Sequence, residues 1–114
     1  MAVLHSLYPS SPNVKIIKDV AKALIAGALV IYPTDTVYAL GCLSSNHKAL
    51  GRLAKLKKVK VEQAPFSFLF SDMSDLSSYV QQFDSPTFRL LKRTLPGPYT
   101  YIMLGTRKLP KPFD

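Results

Sequence analysis

Apolar positions near the start of the chain fall first at helical spacing and then in an unbroken run. Val14, Ile17, Ala21, Leu24 and Ala28 recur every three or four residues, with Lys15, Lys18, Asp19 and Lys22 on the other face. This pattern predicts an amphipathic helix. Asn13 is placed to cap its start, and Gly27 to end it in a left-handed turn. Ala28 to Tyr32 then reads as a strand whose continuous apolar character predicts burial on both faces. Pro33-Thr34-Asp35-Thr36 interrupts that run, which resumes as Val37-Tyr38-Ala39-Leu40 and stops at Gly41-Cys42.

Helical spacing returns near 47–57, with Leu50, Leu53, Ala54 and Leu56 on one side and Ser44, Ser45 and Asn46 as cap residues. Residues 58–65 form a polar loop, and Phe66-Ser67-Phe68-Leu69-Phe70 predicts a third strand. Asp72 or Ser74 caps a short helix through Tyr79. Ser85-Pro86 starts another helix, which carries Phe88, Leu91 and Leu95 and ends at Pro96-Gly97-Pro98. Tyr99 to Leu104 is the last predicted strand, and residues 1–12 read as a leading loop or a short edge strand. Helices and strands in this order predict an α/β or α+β fold, one twisted mixed sheet with flanking helices, in a single domain over 1–114.

Composition narrows the setting. Hydrophobic residues make up 47% and charged residues 19% of the 114, which is globular rather than disordered. No apolar run reaches the roughly 18 residues of a membrane helix, and Met1-Ala2-Val3-Leu4-His5 lacks the features of a secretory signal. The single cysteine, Cys42, has no internal disulfide partner and points to a reducing, cytoplasmic location. Lys and Arg number 15 against 7 acids, a net charge of +8 that favours an anionic partner such as nucleic acid, a nucleotide phosphate or a membrane surface. The charge is clustered: Lys48, Arg52, Lys55, Lys57, Lys58 and Lys60 lie together without an intervening acid. Arg89, Lys92 and Arg93 form a second group, and Arg107, Lys108 and Lys111 a third.

The candidates for chemistry are few. His5, His47 and Cys42 have no ligand spacing, so no metal site is expected. Cys42 closes an apolar run and reads as a small buried residue rather than a nucleophile. Thr34-Asp35-Thr36 sits at a strand end, where α/β sheets present groups to ligands; it also has the composition of a turn held by its own side chains. The lysines around Lys57 are either an anion site or a solvated helix face.

Tyr32-Pro33-Thr34-Asp35-Thr36-Val37-Tyr38, the basic segment behind a helix, "FSFLFSDMSDLSSY" and Leu95-Pro96-Gly97-Pro98-Tyr99-Thr100, in this order, resemble the YrdC/YciO family from about Ala23 to Thr106. The resemblance implies a twisted α/β fold related to dihydroxybutanone-phosphate synthase, with a concave, positively charged surface. It implies an L-threonylcarbamoyladenylate synthase, which joins threonine, bicarbonate and ATP into threonylcarbamoyl-AMP with release of pyrophosphate, for the t6A modification of tRNA. The alternative within the family is a YciO-like protein that binds tRNA, double-stranded RNA or a nucleotide without catalysis. Thr36 and Lys57 are the implied catalytic positions; Thr34, Tyr38, Lys60, Ser67 and Thr100 are implied substrate contacts. Lys48, Arg52, Lys55 and Lys58 form the implied RNA face. Mg²⁺ would arrive with ATP, with no protein-bound metal. Where the family has Lys-x-Arg this chain has Lys57-Lys58-Val59, which leaves Lys60 to supply the second charge and places the chain nearer the YciO-like branch. The family domain is longer, so the chain corresponds to its N-terminal portion, and a Ser-x-Asn motif is expected beyond Asp114.

Overall fold

The computed structural model describes residues 2–110 and Phe113; Lys111 of the third basic group lies outside them. Four helices and two strands follow in the order α1 (Val14–Ile25), β1 (Val30–Tyr32), β2 (Ala39–Gly41), α2 (His47–Leu56), α3 (Met73–Tyr79) and α4 (Ser85–Thr94), with a 3₁₀ turn at Val61–Gln63. The arrangement is a mixed α/β fold.

Local chemistry explains the helix ends. The Asn13 side chain accepts hydrogen bonds from the Lys15 and Ile16 amides, and Asn46 accepts from Ala49. Asp72 and Asp84 do the same for Asp75 and Thr87. Each satisfies amides that a helix start leaves without intrahelical partners. Asp84 rather than Ser85 is therefore the cap of α4, and Ser85-Pro86 already lies inside its first turn.

α1 and α2 finish in the same way. After α1 the Ala28 amide donates to the Ala23 carbonyl and the Gly27 amide to Leu24; after α2 Val59 donates to Ala54 and Lys58 to Lys55. These pairs close Schellman turns, which require a left-handed residue just past the helix. Gly27 adopts it at φ 99°, and Lys58 at φ 58°, where a side chain is costly.

β1 and β2 pair as an antiparallel hairpin, with Val30 opposite Gly41, Ile31 opposite Leu40 and Tyr32 opposite Ala39. The ring of Tyr32 crosses to Gly41, where a Cβ would stand 3.0 Å from the ring edge. A glycine at this place lets the tyrosine lie flat against the second strand.

The core is built around α2. Ala49, Leu50, Leu53 and Ala54 are buried, together with Leu91 of α4. Leu56, expected on the same face, is 63% exposed. In α1 the half-buried positions are Ile16, Val20 and Leu24, while Val14, Ile17, Ala21 and Ile25 are exposed along one stripe. The predicted apolar face of α1 is thus mostly open, because spacing identifies an apolar stripe without naming what covers it.

The two later strands also differ from expectation. Residues 66–70 and 99–104 carry no strand pairing; just past the second segment lies an isolated antiparallel bridge between Val80 and Gly105, and the Gln81 amide donates to the Leu104 carbonyl. Residues 2–12 contain no strand and only a turn closed by the Ser11 amide on the Tyr8 carbonyl. Phe66, Phe68 and Phe70 turn inward against aromatic neighbours: Phe113 meets Phe66 and Phe68, and Tyr79 meets Phe70.

Candidate functional site

The Thr34-Asp35-Thr36 cluster forms the tip of the β1–β2 hairpin. The Thr34 hydroxyl donates to the Val37 carbonyl and accepts from the Thr36 amide at 3.2 Å. Thr34 therefore organises the turn with its own side chain, as the i, i+2 spacing of hydroxyl residues allows. The two threonine hydroxyl oxygens lie 3.4 Å apart, a loose contact that leaves Thr36 free to bond a ligand. The whole tip is open to solvent, and Val37 and Tyr38 beside it are 72% and 73% exposed.

The basic residues occupy the outer side of α2 and its end. Lys48, Arg52 and Lys55 are spaced four and three apart, which places them on one helical stripe, and all three are exposed. Lys57 is the C-cap of α2, Lys58 the left-handed residue after it, and Lys60 precedes the 3₁₀ turn. Cations are stabilised there by the free carbonyls and the negative end of the helix dipole, quite apart from any ligand. Arg52 already has one internal task. Its Nη1 donates to the Gly27 carbonyl at 3.1 Å and ties α2 to the end of α1. Its remaining N–H groups stay available, since a guanidinium carries five donors.

Ser67 and Thr100 are exposed on the two extended segments. The chain near Thr100 is anchored by the Thr94 hydroxyl, which donates to the Leu90 carbonyl and meets the Tyr101 hydroxyl at 2.6 Å. Gly97 of the Pro96-Gly97-Pro98 turn has no room for a side chain, because a Cβ would strike the Thr94 carbonyl. Thr34 and Thr36 are thus brought together, whereas no hydrogen bond among the described residues links them to Lys57, Lys60, Ser67 or Thr100.

Two hollows lie elsewhere. One, of about 410 Å³, is lined by Ser77, Val80, Phe83, Asp84 and Phe88 among others. The other, of about 640 Å³, lies at the end of α1 and includes Arg52 and Gly27. Cys42 is half-buried, and burial pushes its thiol above the usual range, which favours the unreactive protonated form. No group of three or more His, Cys, Asp or Glu able to hold a metal occurs among the described residues. No helix among the described residues is long and apolar enough to cross a membrane.

Comparison with known proteins matches these features to one group. Residues 22–113 fit the Sua5/YciO/YrdC family model, described as "Telomere recombination". An uncharacterized protein of Haemophilus influenzae is 33% identical over 97% of this chain and 53% of its own length. A threonylcarbamoyl-AMP synthase of Coxiella burnetii is 30% identical over 82% of this chain and 50% of its own length. The crystal structure of Escherichia coli YciO superposes with a TM-score of 0.79 at 33% identity, covering 91% of this chain and 50% of YciO. The chain spans about half the length of the curated relatives it matches. With the family model matched over residues 22–113 and the YciO structure superposing over 91% of the chain, the chain belongs to the Sua5/YciO/YrdC family.

Proposed function

We propose that this chain carries the threonine and carbamate end of a threonylcarbamoyl-AMP synthase site, acting in the t6A modification of tRNA. The supporting observation is the hairpin tip, where Thr34 bonds inward and leaves the Thr36 hydroxyl outward and exposed. In the overall conversion, threonine, bicarbonate and ATP become threonylcarbamoyl-AMP, pyrophosphate and water. A carbamate oxygen bonds the α-phosphorus as the bond to the departing pyrophosphate breaks. Thr36 hydrogen-bonds the carbamate or the threonine carboxylate, Tyr38 borders it, and Lys57 draws the anions together and offsets charge as it develops on phosphate. Lys60, Ser67 and Thr100 add polar contacts. Mg²⁺ enters with the ATP phosphates and keeps its own waters.

Turnover by these residues alone is slow, because every one of them is solvent-exposed and fixed dipoles stabilise charge least in water. The test is threonine-dependent release of pyrophosphate in the presence of Mg-ATP and labelled bicarbonate, with threonine binding followed separately by NMR at the Thr36 amide. Thr36→Ala and Lys57→Ala should each lower release at least tenfold. Release independent of threonine, or a Thr36 amide that threonine does not move, refutes the reading.

A second reading is RNA binding without synthesis, and it rests on the stripe Lys48, Arg52 and Lys55 continued by Lys58. Lys57-Lys58-Val59 lacks the arginine of the family motif and so the bidentate fork that suits phosphate. Affinity for a tRNA or an RNA duplex should then fall steeply with salt. Neutralising Lys48, Lys55 and Lys58 should reduce the slope by roughly 2–3. An unchanged slope would reduce the stripe to a solvated face.

A further inference from the structure

A surface helix ordinarily turns its apolar stripe to the core; α1 turns only part of its stripe there. Ile16, Val20 and Leu24 are half-buried on the inner side, and no residue of the helix is fully buried. Beside them runs a second apolar row. Val14 is 63% exposed, Ile17 46% and Ile25 70%, with Ala21 exposed between them. Spacings of three, four and four keep these four side chains on one stripe. Lys18, Lys22 and Lys15 come next round the helix, all exposed, and the one acid, Asp19, lies beyond them. The outward side of α1 is therefore a narrow apolar stripe with a row of cations along one edge.

The N-terminal arm does not cover this stripe. It returns past another side of the helix, where Ala2 lines the 640 Å³ hollow with Ala23 and Ala26. Those alanines stand roughly half a turn round the helix from Ala21 and Ile25.

We propose that this face of α1 seats reversibly on an anionic lipid surface. The apolar stripe enters the boundary between headgroups and acyl chains, and Lys15, Lys18 and Lys22 reach the lipid phosphates. Three observations select this occupant. The three lysines border the stripe on a chain of net charge +8, so the occupant is anionic, whereas a second copy would set +8 against +8. An RNA would take the lysines but leave four apolar side chains against a phosphate backbone. The face is also small. A helix of 12 residues is about 18 Å long and about 10 Å wide, so one face offers on the order of 200 Å², against about 800 Å² per partner in a stable protein complex. A lipid interface accepts a single basic amphipathic helix of this kind. The inference stands apart from the synthase and RNA readings, since it uses none of the residues at the hairpin tip or on the α2 stripe.

The experiment is co-sedimentation of the chain with vesicles of phosphatidylcholine alone and with vesicles in which one quarter of the lipid is phosphatidylglycerol. Binding to the anionic vesicles should be at least tenfold tighter than to the neutral ones, and should fall at least tenfold between about 0.05 and 0.5 M salt. Each lysine near an anionic surface strengthens binding roughly fivefold, so Lys18→Glu with Lys22→Glu should weaken it at least about twentyfold. Lys48→Glu with Lys55→Glu makes the same charge change on α2 and should weaken it less than threefold. Val14→Ser with Ile25→Ser changes two exposed side chains and should weaken it at least tenfold, with the helix content checked by circular dichroism. Absence of binding to the anionic vesicles overturns the proposal, whatever else the face holds. Equal losses from the α1 and α2 charge changes overturn it by showing diffuse attraction. Unchanged binding after the Val14 and Ile25 changes overturns it by showing that the apolar stripe stays out of the lipid. Self-association without lipid that the same two changes abolish also overturns it and assigns the face to a second copy; light scattering reads this without vesicles.

Discussion

The same substitution, glycine to alanine, should have opposite effects at two positions, one just past α1 and one inside α2. Gly27 holds φ 99° in the Schellman turn after α1, and a Cβ there would stand 3.0 Å from Nδ2 of Asn46. Asn46 caps α2 through the Ala49 amide at 2.9 Å. Alanine at 27 therefore meets a left-handed penalty of roughly 1–2 kcal/mol and disturbs a cap worth about 1 kcal/mol. Gly27→Ala should cost about 2–3 kcal/mol, which lowers the melting temperature of a chain this size by roughly 10 °C. Gly51 lies inside α2 with nothing within 4 Å of its added Cβ. Gly51→Ala should stabilise by up to about 1 kcal/mol through helix propensity and a less flexible unfolded chain. Urea titrations followed by far-ultraviolet circular dichroism measure both, and an unchanged slope confirms that the denatured state is the same. Two shifts of the same sign, or a Gly27→Ala cost within 0.5 kcal/mol of zero, would refute the account of the α1–α2 junction.

Other consequences follow from single contacts. Lys58→Gly should stabilise the chain by roughly 0.5–1 kcal/mol by removing a side chain from a left-handed position; a loss of stability would mean the lysine has a structural partner. Leu91→Ala should cost about 2–5 kcal/mol, because Leu91 is 1% exposed and the buried apolar set is small; a cost near 1 kcal/mol would mean that the α4 contact collapses freely. The Asp84 carboxyl is held below its usual range by hydrogen bonds from the Thr87 side chain and amide. Its contribution is present above the unfolded value and is lost as pH falls through the lower folded value. Acid unfolding of Asp84→Asn should therefore show a flatter acid limb than the parent, and identical limbs would argue against the cap.

Much of the helical structure was legible because its determinants are local. Asn13, Asn46 and Gly27 do what their types predict at helix ends, since caps and left-handed turns need only the residues beside them. Ser85-Pro86 misled by one position because Asp84 competes for the same amides and wins the cap. The threonine hairpin was legible as a polar interruption between apolar runs, but its two readings turn out to be compatible. Thr34 serves the turn, and Thr36 is left outward. Arg52 was read as part of a charged, RNA-facing stripe; its bond to the Gly27 carbonyl joins residues far apart in sequence and leaves no mark in spacing.

The sequence by itself determined where helices start and stop, which segments are extended, and where charge gathers. Those properties follow from neighbours a few residues away. Only the tertiary structure decided which apolar stripe is covered. It placed Ile16, Val20 and Leu24 inward on α1, buried α2 through Leu50 and Leu53, and left Ile102 and Leu69 open. It also decided that the extended segments 66–70 and 99–104 are not sheet strands here. A strand is completed by hydrogen bonds to another stretch of chain, and the alternation of its own residues cannot supply that partner.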